Sequence, residues 1–246
     1  MLSLKKLKTR LNNKRFVGVI KMKFIIDNAN LEKIKDIYSY YPVDGVTTNP
    51  SILSREGKNP YEILIDIRKF IGKESELHVQ VVSLKAEDMI EEAEVILNKL
   101  GRNTYIKVPV TREGLKAIKI LKAKGVYITA TAIYTQMQAF LAAKAGADYA
   151  APYVNRIDNL GANGIKVAKE IHDIFKNNNL NTKVLAASFK NSQQILELAK
   201  YGVGACTMAP DIIEGLIKID AAILAVNTFL KDFEGLCGDG NTMKDC

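Results

Sequence analysis

The stretch TYIKVPVTREGLKAIKILKAKGVYITAT (residues 104–131) holds two short β-rich runs with one amphipathic segment between them. Thr104–Val110 and Tyr127–Thr131 are dense in β-branched and aromatic residues, as strands require. Between them, Arg112–Ala123 repeats apolar side chains at helical spacing and so carries one buried face. Thr111, with Glu113 behind it, marks a helix start, and Gly125 stands where the helix should stop. Strand, helix, strand in so few residues predicts two parallel strands joined by a crossover helix.

The same alternation runs outward in both directions. Further strands are predicted at Lys23–Asp27, Gly45–Asn49, Leu77–Ser83, Asp148–Tyr153, Lys183–Ser188 and Ala205–Met208, with a second clear helix at Ala86–Leu100 ended by Gly101. Eight strands, each followed by a helical stretch and without long structureless loops, give a parallel α/β topology. The count of eight favours a closed (β/α)8 TIM barrel over an open sheet. So does the first strand, which runs into FIIDNAN (24–30) with no GxGxxG phosphate loop. The length of 246 residues matches the roughly 250 of one such barrel. A last amphipathic stretch, Ile219–Phe233, and a polar tail, Cys237–Cys246, close the chain; the tail is expected to fray or to serve subunit contacts.

A hydrophobic share of 48% with 25% charged residues excludes a disordered chain. No apolar run approaches the ~18 residues of a membrane span, so no membrane partner is expected. The net charge of +8 is misleading. Seven lysines and arginines, and no acid, fall in residues 1–21, and the rest is balanced to within one charge. Domain organisation is therefore a basic extension, 1–21, ahead of a barrel, 22–246. The extension fits an upstream in-frame start before Met22, a targeting peptide, or an arm for anionic surfaces. A nucleic-acid partner is not expected, because the nearly neutral body offers no basic stacking surface. Cys206, Cys237 and Cys246 form neither a metal spacing nor an even disulfide set, which points to a reducing cytoplasm.

Barrel enzymes place reacting groups at the C-terminal ends of strands. Seven of the eight predicted strands end in useful polar residues: Asp27, Thr47 with Asn49, Gln80, Lys107, Thr131, Tyr153 with Arg156, and Ser188 with Lys190. Lys107 stands out, because it lies inside the apolar strand YIKVPV and lysine is rarely buried without cause. Desolvation would supply a neutral amine for attack on a carbonyl; a salt bridge to Asp27 or a loop acid would explain the burial equally well. Asp27 suits a general base or a helix N-cap. Arg156, Ser188 and Lys190 suit a phosphate clamp or a solvated loop. Tyr153 suits a proton shuttle or an aromatic lip. His78 and His172 read as structural, the first mid-strand and the second on a helix face.

Four segments go further: GVTTNPSI (45–52), YIKVPVTREGLKAIKILKAKG (105–125), AGADYAAPYVNRID (145–158) and VLAASFKN (184–191). With them, the chain from about Met22 to Gly238 resembles the small transaldolase/fructose-6-phosphate aldolase family. The resemblance implies a class I aldolase barrel with the Schiff-base lysine, Lys107, on the fourth strand. It implies that Asp27 and Asn49 orient donor hydroxyls, Asp27 also moving a proton, and that Thr131 and Gln80 hold a water. Arg156, Ser188 and Lys190 would bind the phosphate of a sugar phosphate. Neither metal nor organic cofactor is implied, and homo-oligomers, pentamers or decamers, are, with the C-terminal helix packing on a neighbour.

Two positions divide the family. Transaldolases resemble one another in a glutamate at the place of Gln80 and a phenylalanine at the place of Tyr153, whereas the aldolase branch is like this chain. A carboxylate activates water and a carboxamide only orients it; a phenol exchanges protons and phenylalanine cannot. Thr129 departs from the pattern, where the aldolase branch has leucine. The expectation is therefore reversible cleavage of fructose 6-phosphate to dihydroxyacetone and glyceraldehyde 3-phosphate. Transfer of the dihydroxyacetone unit, as in the pentose phosphate pathway, is the alternative on the same fold. A barrel isomerase without a covalent lysine belongs to another class.

Overall fold

The computed structural model describes residues 22–246. The proposed extension, residues 1–21, lies outside the described residues. Eight parallel strands close into one barrel in chain order: β1 (Lys23–Asp27), β2 (Gly45–Thr47), β3 (Glu76–Gln80), β4 (Tyr105–Pro109), β5 (Tyr127–Ile133), β6 (Tyr149–Pro152), β7 (Lys183–Ala186) and β8 (Ala205–Met208). The predicted barrel is thus the observed one. Most predicted strands run a few residues long at their C-terminal ends, because the chain there leaves the ladder to start the next helix. Asn49 shows the cause: its side chain accepts from the Ile52 amide 3.0 Å away and caps a short helix with Pro50 at its first turn.

Around the barrel run α1 (Leu31–Tyr40), α2 (Pro50–Ser54), α3 (Pro60–Ile71), α4 (Ala86–Leu100), α5 (Arg112–Ala123), α6 (Gln136–Lys144), α7 (Val154–Asn159), α8 (Gly164–Asn177), α9 (Ser192–Tyr201), α10 (Pro210–Gly215) and α11 (Asp220–Cys237). The helices α4 and α5 have the predicted bounds, and Thr111 caps α5 by accepting from the Gly114 amide. Short α2, α7 and α10 are additions that the periodicity did not reveal, since they span too few turns to show a face.

Burial divides into two compartments. A large outer layer of Ile, Leu, Val and Ala packs strands against helices, with Ile26, Val46, Leu77, Ile106, Ile118 and Ile128 fully buried. A small inner cluster, Ile25, Tyr149, Ala151, Leu185 and Ala205 with Tyr105 against it, fills the barrel interior. Strand alternation sets this partition, because residues two apart share a face. Gly45 is demanded by it as well: a Cβ there would lie 2.3 Å from the Glu76 carbonyl oxygen on the adjacent strand.

The helix α11 differs from the other long helices. It extends past the predicted Phe233 to Cys237, buries none of its residues, and exposes Ile223, Leu224, Val226, Phe229, Leu230 and Leu236. Behind it Cys237 and Cys246 are joined as a disulfide, while Cys206 lies buried on β8. The odd count of three hid this pairing, since one cysteine belongs to the core and the other two to the tail. No helix among the described residues is long and apolar enough to cross a membrane.

Candidate active site

At the C-terminal end of the barrel opens a cavity of about 570 Å³. Of the residues singled out in the sequence, Asp27, Asn49, Lys107, Thr131, Tyr153, Arg156 and Ser188 line it. Thr47 stands just beneath, its hydroxyl donating to Asp27 Oδ1 at 2.7 Å. Two residues are placed otherwise. Gln80 lines two neighbouring cavities with Pro50 and Val82, although alternation along β3 puts it on the interior face with Glu76 and His78. Lys190 is exposed and outside the cavity lining, its backbone amide donating to Gln194 Oε1.

Lys107 is 6% exposed. Among the described residues it forms no salt bridge; its Nζ donates to the Thr48 carbonyl at 2.8 Å. The salt-bridge explanation of its burial is therefore not the arrangement found. Burial lowers the ammonium's pKa from the ordinary lysine value, opposed only by the nearby Asp27 charge. The amine is thus held close to a carboxylate without being neutralised by contact. Nor does Asp27 cap a helix. Asn30 does so for α1, accepting from the Lys33 amide, which leaves the Asp27 carboxylate turned to the cavity.

On the opposite wall the Thr131 and Tyr153 hydroxyls lie 2.9 Å apart. Thr131 is aimed there by an irregularity in β5: the register with β6 shifts between Ala130 and Ile133, and Ala132 takes φ 58°. Tyr153 is held on both sides, edge-on by Tyr134 at 5.6 Å and over its face by the Arg156 guanidinium at 4.5 Å. Ser188 takes φ 63°, a left-handed conformation that costs a non-glycine residue of order 1 kcal/mol or more, as strained residues in binding sites do. Its carbonyl accepts from the Asn155 amide, tying the Ser188 loop to the start of α7, which carries Arg156.

Several lining residues escaped the sequence reading: Asn28, Lys33, Ser51, Arg55 and Thr207. Lys33 sits in α1 and Arg55 just past the end of α2, where surface cations carry no signal. Thr207 could have been found, because alternation along β8 pairs it with inward-facing Ala205. Below the cavity, His78 and Thr129 are fully buried and bonded to each other, so Thr129 is occupied by the barrel floor. No group of three or more His, Cys, Asp or Glu side chains able to hold a metal occurs among the described residues.

A buried amine beside a carboxylate, facing a hydroxyl pair and an arginine across one cavity, is equipped for carbonyl chemistry on an anionic substrate. Comparison with known proteins agrees. The family model described as Transaldolase/Fructose-6-phosphate aldolase matches residues 24–243. A "Probable transaldolase" of Caldicellulosiruptor saccharolyticus is 41% identical over 87% of this chain and 97% of its own length. A "Probable fructose-6-phosphate aldolase" of Streptococcus pneumoniae is 42% identical over 86% of this chain and 96% of its own. A "Probable transaldolase" of Clostridioides difficile is 39% identical over 87% and 98%. Both names occur at equal similarity, so identity alone does not separate the activities. The match spans the barrel from its first strand into the tail, and the chain is an enzyme belonging to the transaldolase/fructose-6-phosphate aldolase family.

Proposed function

We propose that the protein is a Schiff-base aldolase that reversibly cleaves fructose 6-phosphate to dihydroxyacetone and glyceraldehyde 3-phosphate. The observation that carries this is Lys107, buried at the cavity floor with its proton affinity lowered and no carboxylate in contact. Its neutral amine attacks the C2 carbonyl, and loss of water leaves an imine. Asp27 takes the C4 hydroxyl proton as the C3–C4 bond breaks. The electron pair moves into the imine as an enamine, and glyceraldehyde 3-phosphate departs. Protonation at C3 and addition of water then release dihydroxyacetone and restore the amine.

Thr131 and Tyr153, hydrogen-bonded to each other, are suited to hold that water and pass its proton. Gln80 joins them if its side chain turns inward from the lateral cavities. Arg156 and Ser188 receive the phosphate, with Lys190 reaching in from the loop. Asn49 spends its carbonyl oxygen on the α2 cap and presents its amide nitrogen to the substrate hydroxyls. The six apolar side chains exposed on α11 support burial against a second copy, in a pentamer or decamer.

Borohydride reduction in the presence of dihydroxyacetone, followed by peptide mapping, tests the mechanism: the Lys107 peptide is expected to carry the adduct. An unmodified peptide from active protein rules the mechanism out. Transaldolase activity, with a second aldose phosphate intercepting the enamine, is the other reading, favoured by the names of two of the three relatives above. Cleavage without erythrose 4-phosphate supports the aldolase; strict dependence on it supports the transferase.

A further inference from the structure

Thr207 lies on the eighth strand, the one strand to which no reacting group was assigned. It is 3% exposed, and its Oγ1 is 2.6 Å from Thr47 Oγ1. Thr47 Oγ1 is in turn 2.7 Å from Asp27 Oδ1. The registers explain the alignment: β1 lies between β2 and β8, with Asp27 opposite Thr47 and Ile25 opposite Thr207. Below Thr207 the interior turns apolar, with Ile25, Leu185 and Ala205 buried. Thr47 is thus the side chain to which the Thr207 hydroxyl is bonded.

The direction of these bonds follows from proton counting. An ionised carboxylate only accepts, and a threonine hydroxyl has one proton to give. While Asp27 is charged, Thr47 donates to it, so Thr207 must donate to Thr47. When Asp27 has taken up a proton, it can donate to Thr47, which then donates to Thr207; the Thr207 proton turns towards the cavity. Each hydroxyl keeps its own proton and exchanges only its partner. A chain of donors strengthens the last bond, the one to the carboxylate.

We infer that Thr207 is a positioning residue for the cleavage reaction: acting through Thr47, it orients the Asp27 carboxylate and accommodates both of its protonation states. This rests on the proposed role of Asp27 as the base that accepts the C4 hydroxyl proton. Thr207 lines the cavity, but its hydroxyl is bonded to Thr47 while Lys107 Nζ is bonded to the Thr48 carbonyl, so imine formation is not expected to depend on it.

The test is a set of variants: Thr207→Val, Thr207→Ser, Thr47→Val and the double Thr47→Val/Thr207→Val. Each is assayed for fructose 6-phosphate cleavage and for borohydride trapping of dihydroxyacetone on Lys107. Thr207→Val is expected to lower kcat about tenfold, the scale of one lost buried hydrogen bond, with KM and trapping unchanged. Thr207→Ser, which keeps the hydroxyl, restores kcat. In the Thr47→Val background the Thr207 substitution adds nothing, as two members of one chain require. If valine prevents folding, Thr207→Ala removes the hydroxyl and carries the same expectation.

A Thr207→Val enzyme with wild-type kcat overturns the inference, as does a serine variant no better than valine, or full additivity in the double variant. A wild-type protein that neither traps nor cleaves overturns the aldolase reading itself, and the inference with it. A wild-type that does both keeps the two questions apart.

Discussion

The upper and lower halves of the barrel interior are built by the same strands and the same alternation, yet they treat polar groups in opposite ways. In the lower half every charge is matched. Glu76 accepts from Lys23 Nζ at 2.5 Å, from the Tyr149 hydroxyl and from His78 Nε2 at 3.3 Å. Because a carboxylate only accepts, the His78 proton sits on Nε2, and Nδ1 accepts from the Thr129 hydroxyl at 2.8 Å. Tyr105 stacks on His78 at 4.5 Å and closes the layer. In the upper half, Lys107, Asp27, Thr131, Tyr153 and Arg156 surround a cavity instead. The lower polar groups are thus enclosed by one another, whereas the upper ones, even where they pair as Asp27 does with Thr47 and Thr131 with Tyr153, keep one side open to the cavity.

The electrostatics divide the same way. Burial opposes the Glu76 charge, but the hydrogen bond and positive charge of His78, and then the Lys23 ammonium, outweigh it and hold the carboxyl down to about 2. Burial pushes the His78 pKa down against the pull of Glu76, and Lys23 adds a cation in direct contact. Lys107 has no such partner, and its burial simply makes the charged form costly.

The strongest way to break this contrast is Lys107→Met. Cleavage and borohydride trapping are expected to vanish, while the folded state gains stability. Lysine is protonated in the unfolded chain below ~10.4, so burying it costs most at any pH below its lowered native pKa. The gain in Tm, roughly 2–4 °C per kcal/mol relieved, is therefore full on that acidic side and shrinks as the pH rises towards ~10.4. Thermal melts across that range that show no gain would remove the claim that Lys107 is held at a cost.

Glu76→Gln tests the lower half. It leaves the Lys23 ammonium without its partner and should cost about 1 kcal/mol in denaturant unfolding, because the Lys23 side chain is 37% exposed and water screens the charge left behind. The wild-type contribution is complete above the ordinary carboxyl value of ~4.3 and fades as the pH falls towards about 2, where the native carboxyl is protonated. The variant should lose that part of the acid sensitivity.

Arg156→Met returns to the upper half. Loss of a charge-assisted contact to phosphate should raise KM for fructose 6-phosphate about 10–100-fold and leave trapping of the uncharged dihydroxyacetone intact. The smallest effect is expected at the boundary between the halves. Thr129→Val leaves His78 Nδ1 without a donor and should cost about 1 kcal/mol in stability, with kcat unchanged. A fall in kcat there would show that the floor also tunes the site.

Much of this was legible in the chain. The interior face of each strand followed from alternation, and Lys107 stood out because its neighbours in YIKVPV are apolar. The Asn49 cap was hidden because TTNPS reads equally as a strand end. Gln80 and Lys190 fall outside the lining of the central cavity because long side chains at strand ends are directed by loop packing, which has no period. Thr207 was missed because threonine is an ordinary strand residue, and its meaning comes from a partner 160 residues away.

Local patterning was therefore sufficient for the barrel, its strand order and the list of side chains that turn inward, since all three depend on periods of two and about four residues. Which of those side chains satisfy one another and which are left facing a cavity depended on register and closure. Glu76 meets Tyr149 across 73 residues of chain, and Thr47 meets Thr207 only because β8 closes onto β1. Hydrogen bonds act over about 3 Å, so pairing between distant strands is set only when the barrel brings them that close.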